Sequence, residues 1–75
     1  MVKNININML KGKIVEKGMT VTDLAQKMGI DRATLYRKME NNGATMLVRD
    51  ANNIVSVLNL TSDEAVAIFF SQFVA

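Results

Sequence analysis

The chain has 75 residues, of which 49% are hydrophobic, and it contains no proline, cysteine or histidine. A chain of this length can bury only one small core, and the lack of cysteine excludes disulfides and thiolate metal sites. Without histidine or cysteine it also lacks the usual metal ligands, nucleophile–base pairs and near-neutral proton carriers. The composition therefore predicts one domain, residues 1–75, with no metal, no cofactor, no small-molecule ligand and no enzymatic activity.

Charge is divided unevenly along the chain. All nine lysines and arginines lie between residues 3 and 49 together with four acids, a balance of +5, whereas residues 50–75 contain three acids and no base, a balance of −3. This polarity is typical of a surface that faces a polyanion, joined to a separate assembly surface. Ordinary solvated charge is the alternative.

The longest apolar run, AVAIFF at 65–70, is too short to span a bilayer, so we expect a cytoplasmic protein with no membrane partner.

The N-terminal segment KNININML alternates asparagine with Ile5 and Ile7. A period of two favours extended backbone, so we expect an N-terminal arm over residues 1–7, either a short strand or a free arm. A first helix is predicted to begin near Asn8 as its N-cap. Its inward side is expected to comprise Leu10, Ile14, Met9 and Val15.

A second helix is predicted after Thr20, with Asp23 in the position of a capping box. Its apolar stripe is Val21, Leu24, Ala25 and Met28. Gly29 follows where helices commonly end in left-handed geometry, which indicates a tight turn.

A third helix is predicted from Asp31, its N-cap, to about Glu40, followed by turn residues 41–43. At 100° per residue, Leu35 and Met39 share the inner face and Arg37 points away from it. Ala33 and Thr34 accompany Arg37, while Tyr36 and Lys38 flank it and Arg32 lies in the first turn. A small residue, a hydroxyl and bases on one helix face suit the major groove of DNA. A solvated amphipathic helix is the alternative.

Two more helices are predicted in the acidic part of the chain. Ala51, Ile54, Val55 and Leu58 form one stripe, and TSDE at 61–64 is a complete capping box for a last helix over 62–74. The fold expected is therefore all-α, a compact bundle of about five short helices.

The segment LAQKMGIDRATLYRKM resembles the helix-turn-helix of phage Cro/CI-type regulators, the lambda-repressor-like family. Ala25 stands at the small position between the helices, Gly29 in the turn and Leu35 at the anchor of the second helix. LKGKIVEKGMT and NNIVSVLNLTSDEAVAIFF are similar to the flanking helices of the family, so the resemblance covers roughly residues 8–70.

This resemblance implies that the second motif helix reads bases of double-stranded operator DNA, while the first crosses the backbone and a homodimer binds two half-sites. The base-reading candidates by position are Arg32, Ala33, Thr34, Tyr36 and Arg37. The candidates for phosphate contacts are Thr20, Thr22, Lys27, Lys38 and Asn42. The chain departs from the family at Val21, where many members have a glutamine, and at Lys38, where an apolar residue often stands.

The last predicted helix has more apolar surface than one core face requires, because two adjacent arcs are apolar. The surplus arc, Val66, Phe70, Phe73 and Val74, is the expected dimer interface, and the arm at 1–7 is a rival contact.

The function expected is a phage or prophage Cro-like repressor of a bacterial host, associated with the nucleoid when bound to its operator. A protein-binding modulator with the same fold is the alternative, and the chain could also be the N-terminal domain of a longer repressor.

Overall fold

The computed structural model describes residues 4–70, and within that range it contains five helices and no strand. The predicted all-α bundle is thus confirmed. Residues 1–3 of the expected arm, and Phe73 and Val74 of the expected interface, lie outside the described residues. The helices are α1 (Ile7–Glu16), α2 (Val21–Met28), α3 (Arg32–Gly43), α4 (Val48–Leu58) and α5 (Ser62–Phe69).

Polar side chains begin most of these helices, as the sequence predicted. Thr20 and Asp23 form a complete capping box on α2, and Thr61 and Glu64 form another on α5. Each supplies acceptors for amides that have no partner inside the helix. The prediction for α1 was wrong by two residues: its N-cap is Asn6, whose Oδ1 accepts from the Met9 N–H at 3.0 Å.

Residues 4–6, the described part of the N-terminal segment before α1, form no strand. Ile5 is only 2% exposed and lies in the core. Its N–H donates to the carbonyl of Asn42 at 2.8 Å, and the N–H of Asn6 donates to the carbonyl of Ile68 at 2.8 Å. The alternating pattern was misleading because Ile7 already belongs to α1. The described part of the arm is therefore anchored to its own globule, and Ile5 is not free to contact a second chain.

The core lies where all five helices and the N-terminal segment meet. Its buried residues are Ile5, Leu10, Ile14, Leu24, Ala25, Leu35, Met39, Met46, Ala51, Ile54, Leu58, Leu60, Ile68 and Phe69. Leu10 and Ile14 are the inward side of α1, but Met9 and Val15, which were predicted to join them, are exposed. In an eight-kilodalton domain one stripe per helix suffices to fill the core, and the remaining apolar residues stay at the surface.

Helix α3 changes course near its end. Glu40 has extended ψ (φ −66, ψ 155), and Asn41 and Asn42 are left-handed, which asparagine tolerates better than most residues. Gly43 follows with φ +75, against Ile5. The regular part of α3 therefore ends at Met39, close to the predicted Glu40.

The last two helices close the bundle. Asn59 ends α4 in left-handed geometry, and α5 packs Ile68 and Phe69 inward. α5 ends at Phe69, with Phe70 outside helical geometry (φ −133, ψ 20), so the predicted continuation to residue 74 lies beyond the described residues. Among residues 4–70, no helix has the length and apolar character needed to cross a membrane.

Candidate nucleic-acid interface

A tight turn joins α2 to α3 and fixes their relative orientation. Gly29 has φ +77, and the next amide, of Ile30, donates to the carbonyl of Ala25 at 3.0 Å. Ala25 and Leu35 are both buried, so a small side chain lets the two helices approach while Leu35 anchors α3 against the core. The outer face of α3 is consequently turned away from the bundle.

Four of the five base-reading candidates are exposed on α3, and the fifth is half-buried. Arg32, Ala33 and Arg37 are exposed, Tyr36 is 46% exposed, and Thr34 is half-buried. The guanidinium Nη2 of Arg37 lies 3.4 Å from Oγ1 of Thr34, a distance typical of a weak contact at best. The guanidinium is therefore held only loosely by its own chain and can be directed outward.

The N-terminus of α3 is already occupied by a carboxylate. Oδ1 of Asp31 accepts from the Thr34 N–H at 2.8 Å, and this hydrogen bond is the main reason why the pKa of Asp31 lies below its ordinary value. Free helix N-termini attract phosphate. Here the cap is itself an anion, so this helix end does not offer a free anion site.

Four of the phosphate candidates are accessible at the two edges of the α2–α3 unit. Thr20, Thr22 and Lys27 are exposed at the N-cap of α2 or along it, and Asn42 is exposed beyond the regular part of α3. The hydroxyl oxygen of Thr20 accepts from the Asp23 N–H at 3.1 Å, and the Thr20 amide and hydroxyl together lower the pKa of the Asp23 carboxyl. The carbonyl of Asn42 holds Ile5, but its side-chain amide remains at the surface.

Lys38, the fifth phosphate candidate, is placed differently. Its Nζ lies 2.9 Å from Oδ2 of Asp50 on α4, and the two side chains are only 21% and 15% exposed. The same Oδ2 accepts from the Leu47 N–H at 3.0 Å. Partial burial of Asp50 opposes its ionisation, but the Lys38 ammonium and the Leu47 amide together hold its pKa below the ordinary value. Lys38 is therefore engaged inside the molecule, while its neighbour Met39 supplies the packing as predicted.

Sequence reasoning missed Asp50 as the partner of Lys38. The two residues are twelve positions apart and lie on different helices. The only local signal was an acid three residues after Leu47, the N-cap of α4, from whose N–H it accepts a hydrogen bond. That signal predicts a cap but says nothing about a lysine elsewhere in the chain.

An apolar cleft beside the outer face of α3 was also unexpected. Its lining includes Val21, Tyr36 and Val15, and Val15 is 74% exposed. The full lining is Lys11, Ile14, Val15, Met19, Thr20, Val21 and Tyr36. Val21 therefore supplies an apolar surface at the position where many members of the resembled family have a glutamine.

The candidate dimer surface on α5 is partly visible. Val66 and Phe70 are each 38% exposed, whereas their neighbours Ile68 and Phe69 are buried. The predicted division of α5 into an inner and an outer apolar arc is thus found as far as residue 70. Within residues 4–70, no three carboxylates are grouped closely enough to hold a metal ion.

Comparison with protein-family models matches residues 9–67 to the Cro/C1-type HTH DNA-binding domain. No curated protein and no solved structure matches the chain. The matched range begins in α1 and ends in α5, and it contains every base-reading and phosphate candidate named above.

Proposed function

The chain belongs to the Cro/C1-type helix-turn-helix family of DNA-binding transcription regulators, and from that premise we propose that it is a phage or prophage repressor of the Cro kind. It occupies operator DNA as a homodimer and thereby excludes polymerase. The observation that carries the proposal is the outer face of α3, where Arg32, Ala33, Tyr36 and Arg37 are all exposed.

The roles proposed for these residues follow from their chemistry. Arginine donates two hydrogen bonds to O6 and N7 of guanine, and small apolar groups contact the methyl group of thymine. Arg37, at the centre of the outer face, and Arg32, in the first turn, are the proposed guanine readers. Ala33 allows the helix to approach the base edges, while Thr34 and Tyr36 complete the reading surface.

The proposed phosphate contacts are Thr20, Thr22, Lys27 and Asn42. Three of them lie on α2 or at its N-cap and the fourth lies near the end of α3, so they can fix the position of the duplex without reading its sequence. Lys38 is not included, because its ammonium is bound by Asp50.

The proposed dimer forms through α5 and the residues that follow it. Exposure of Val66 and Phe70 beside the buried Phe69 supports this, since an apolar patch at the surface of a small domain commonly marks an interface. Two-fold pairing would present two copies of α3 to two half-sites of a palindromic operator.

The experiment that tests the function is selection of bound duplexes from a random pool at near-physiological salt. A palindromic consensus is expected, with half-sites separated by about one helical turn or a multiple of it. Enrichment of no sequence, together with stoichiometric capture of another DNA-binding regulator, would instead support the protein-binding modulator and overturn the repressor.

A further inference from the structure

Lys38 occupies a special position at the boundary between two surface grooves. One groove lies on the DNA-facing side and is shared with Thr34, Arg37 and Asn41. The other lies on the α4 side and contains Asp50. The flexible stem of a lysine allows its ammonium to point into either groove, and in this structure the ammonium is directed to Asp50.

Asp50 is well suited to hold that ammonium. Its carboxylate is fixed by the Leu47 N–H at 3.0 Å and lies largely out of solvent. Partly buried ion pairs are screened by salt much less than exposed ones. A phosphate that approached Lys38 would have to take the ammonium from Asp50, and it would be repelled by the carboxylate left behind.

We propose that Asp50 masks the charge of Lys38, keeps this lysine away from DNA phosphates, and thereby limits the binding of DNA of arbitrary sequence. Phosphate contacts by lysine and arginine supply essentially all of non-specific DNA affinity. One fewer such contact, directly beside the base-reading Arg37, therefore raises the share of the binding energy that depends on sequence. This inference rests on the proposed DNA-binding mode of α3.

The test uses Asp50→Asn, which preserves shape and an acceptor for the Leu47 amide but removes the carboxylate charge. Binding to a duplex of random sequence is titrated across a salt series, and the slope of log K against log salt is compared with that of the unmodified protein. Lys38→Met and the double variant Asp50→Asn/Lys38→Met complete the set. Asp63→Asn is the matched control, because Asp63 is an exposed acid on α5 with the same charge.

We expect Asp50→Asn to steepen the slope by about 0.9, the value for one additional phosphate contact. Lowering the salt concentration from about 200 to 50 mM should then increase the affinity of this variant for random-sequence DNA about 3.5-fold more than that of the unmodified protein. Lys38→Met and Asp63→Asn should leave the slope unchanged, and the double variant should lose the gain of Asp50→Asn.

Two results would overturn the inference. One is an unchanged or shallower slope for Asp50→Asn in a protein that urea denaturation shows to be folded. The other is a slope that falls by about 0.9 in Lys38→Met, because Lys38 would then contact phosphate despite Asp50. Either result leaves the proposed function intact, whereas failure of the unmodified protein to bind any duplex would refute the proposed function itself.

Discussion

Replacement of Gly43 by alanine is expected to destabilise the protein more than replacement of Gly29. The two glycines have nearly equal backbone geometry, with φ of +75 and +77, so alanine meets similar left-handed strain at both. Their surroundings differ. A Cβ on Gly29 would have no atom within 4 Å, whereas a Cβ on Gly43 would overlap with Cδ1 of Ile5 and lie about 3 Å from its Cγ1 and Cβ.

The magnitudes follow from this comparison. Left-handed strain costs alanine roughly 1–2 kcal/mol, and the less flexible unfolded chain offsets about 0.4–1 kcal/mol of that cost. Gly29→Ala should therefore lower the free energy of unfolding by about 0–1.6 kcal/mol. Gly43→Ala carries the same cost plus that of overpacking a core, typically about 1–3 kcal/mol. The difference between the two variants measures the contact with Ile5.

Urea denaturation followed by far-ultraviolet circular dichroism gives the free energy of unfolding of each variant. All variants are compared at one protein concentration, because self-association would make stability depend on it. Ile5→Val removes only Cδ1, the atom nearest to the added Cβ, and by itself should cost about 0.5–1.5 kcal/mol. The double variant Gly43→Ala/Ile5→Val should be more stable than the sum of the single changes predicts, by about 0.5 kcal/mol or more.

Additive effects of Gly43→Ala and Ile5→Val, or equal losses for Gly43→Ala and Gly29→Ala, would refute this reasoning. Either outcome would mean that Ile5 does not pack against the turn behind α3 in solution.

The remaining predictions concern DNA binding, assembly and pH. Arg37→Ala should lose about 1–3 kcal/mol of DNA-binding free energy, concentrated at one base pair of the operator. Lys27→Ala should weaken binding to all sequences alike and flatten the slope of log K against log salt by about 0.9. Equal losses on specific and random DNA for both variants would contradict these roles. Phe70→Asp should give a monomer in sedimentation equilibrium, and a dimer of unchanged affinity would exclude this residue from the interface. Glu64 is hydrogen bonded to Lys13, which with the Thr61 amide lowers the pKa of Glu64 from 4.5 to about 2. The ionised carboxylate therefore stabilises the fold above pH 4.5, and this contribution is lost as pH falls towards 2. The urea midpoint should decrease less between those pH values in Glu64→Gln than in the unmodified protein.

Local features of the chain were predictable from the sequence. Thr20, Asp31 and Thr61 were recognised as helix caps, because a cap depends on residues only three positions apart. Gly29 was recognised as a turn, since few other residues adopt its geometry easily. The same local spacing identified Leu35 as buried and Arg37 as exposed, and thus the candidate reading face.

Features that depend on distant residues were not predictable. Ile5 is buried because residues 42 and 68 accept hydrogen bonds from the N-terminal segment, and no local pattern indicates that partnership. Met46 lies between two helices, where periodicity does not apply, yet it is completely buried. Val15 has helical spacing to an inner face but is exposed, and the pairing of Lys38 with Asp50 requires knowledge of how α4 crosses α3.

The hydrogen bond between Asn6 and Ile68 brings the first and last described parts of the chain side by side. A linker between positions near residues 6 and 68 can therefore be short, and its closure has a small entropic cost. We expect a circularly permuted chain, joined near these residues and opened at an exposed loop, to retain the packing contacts of the described globule.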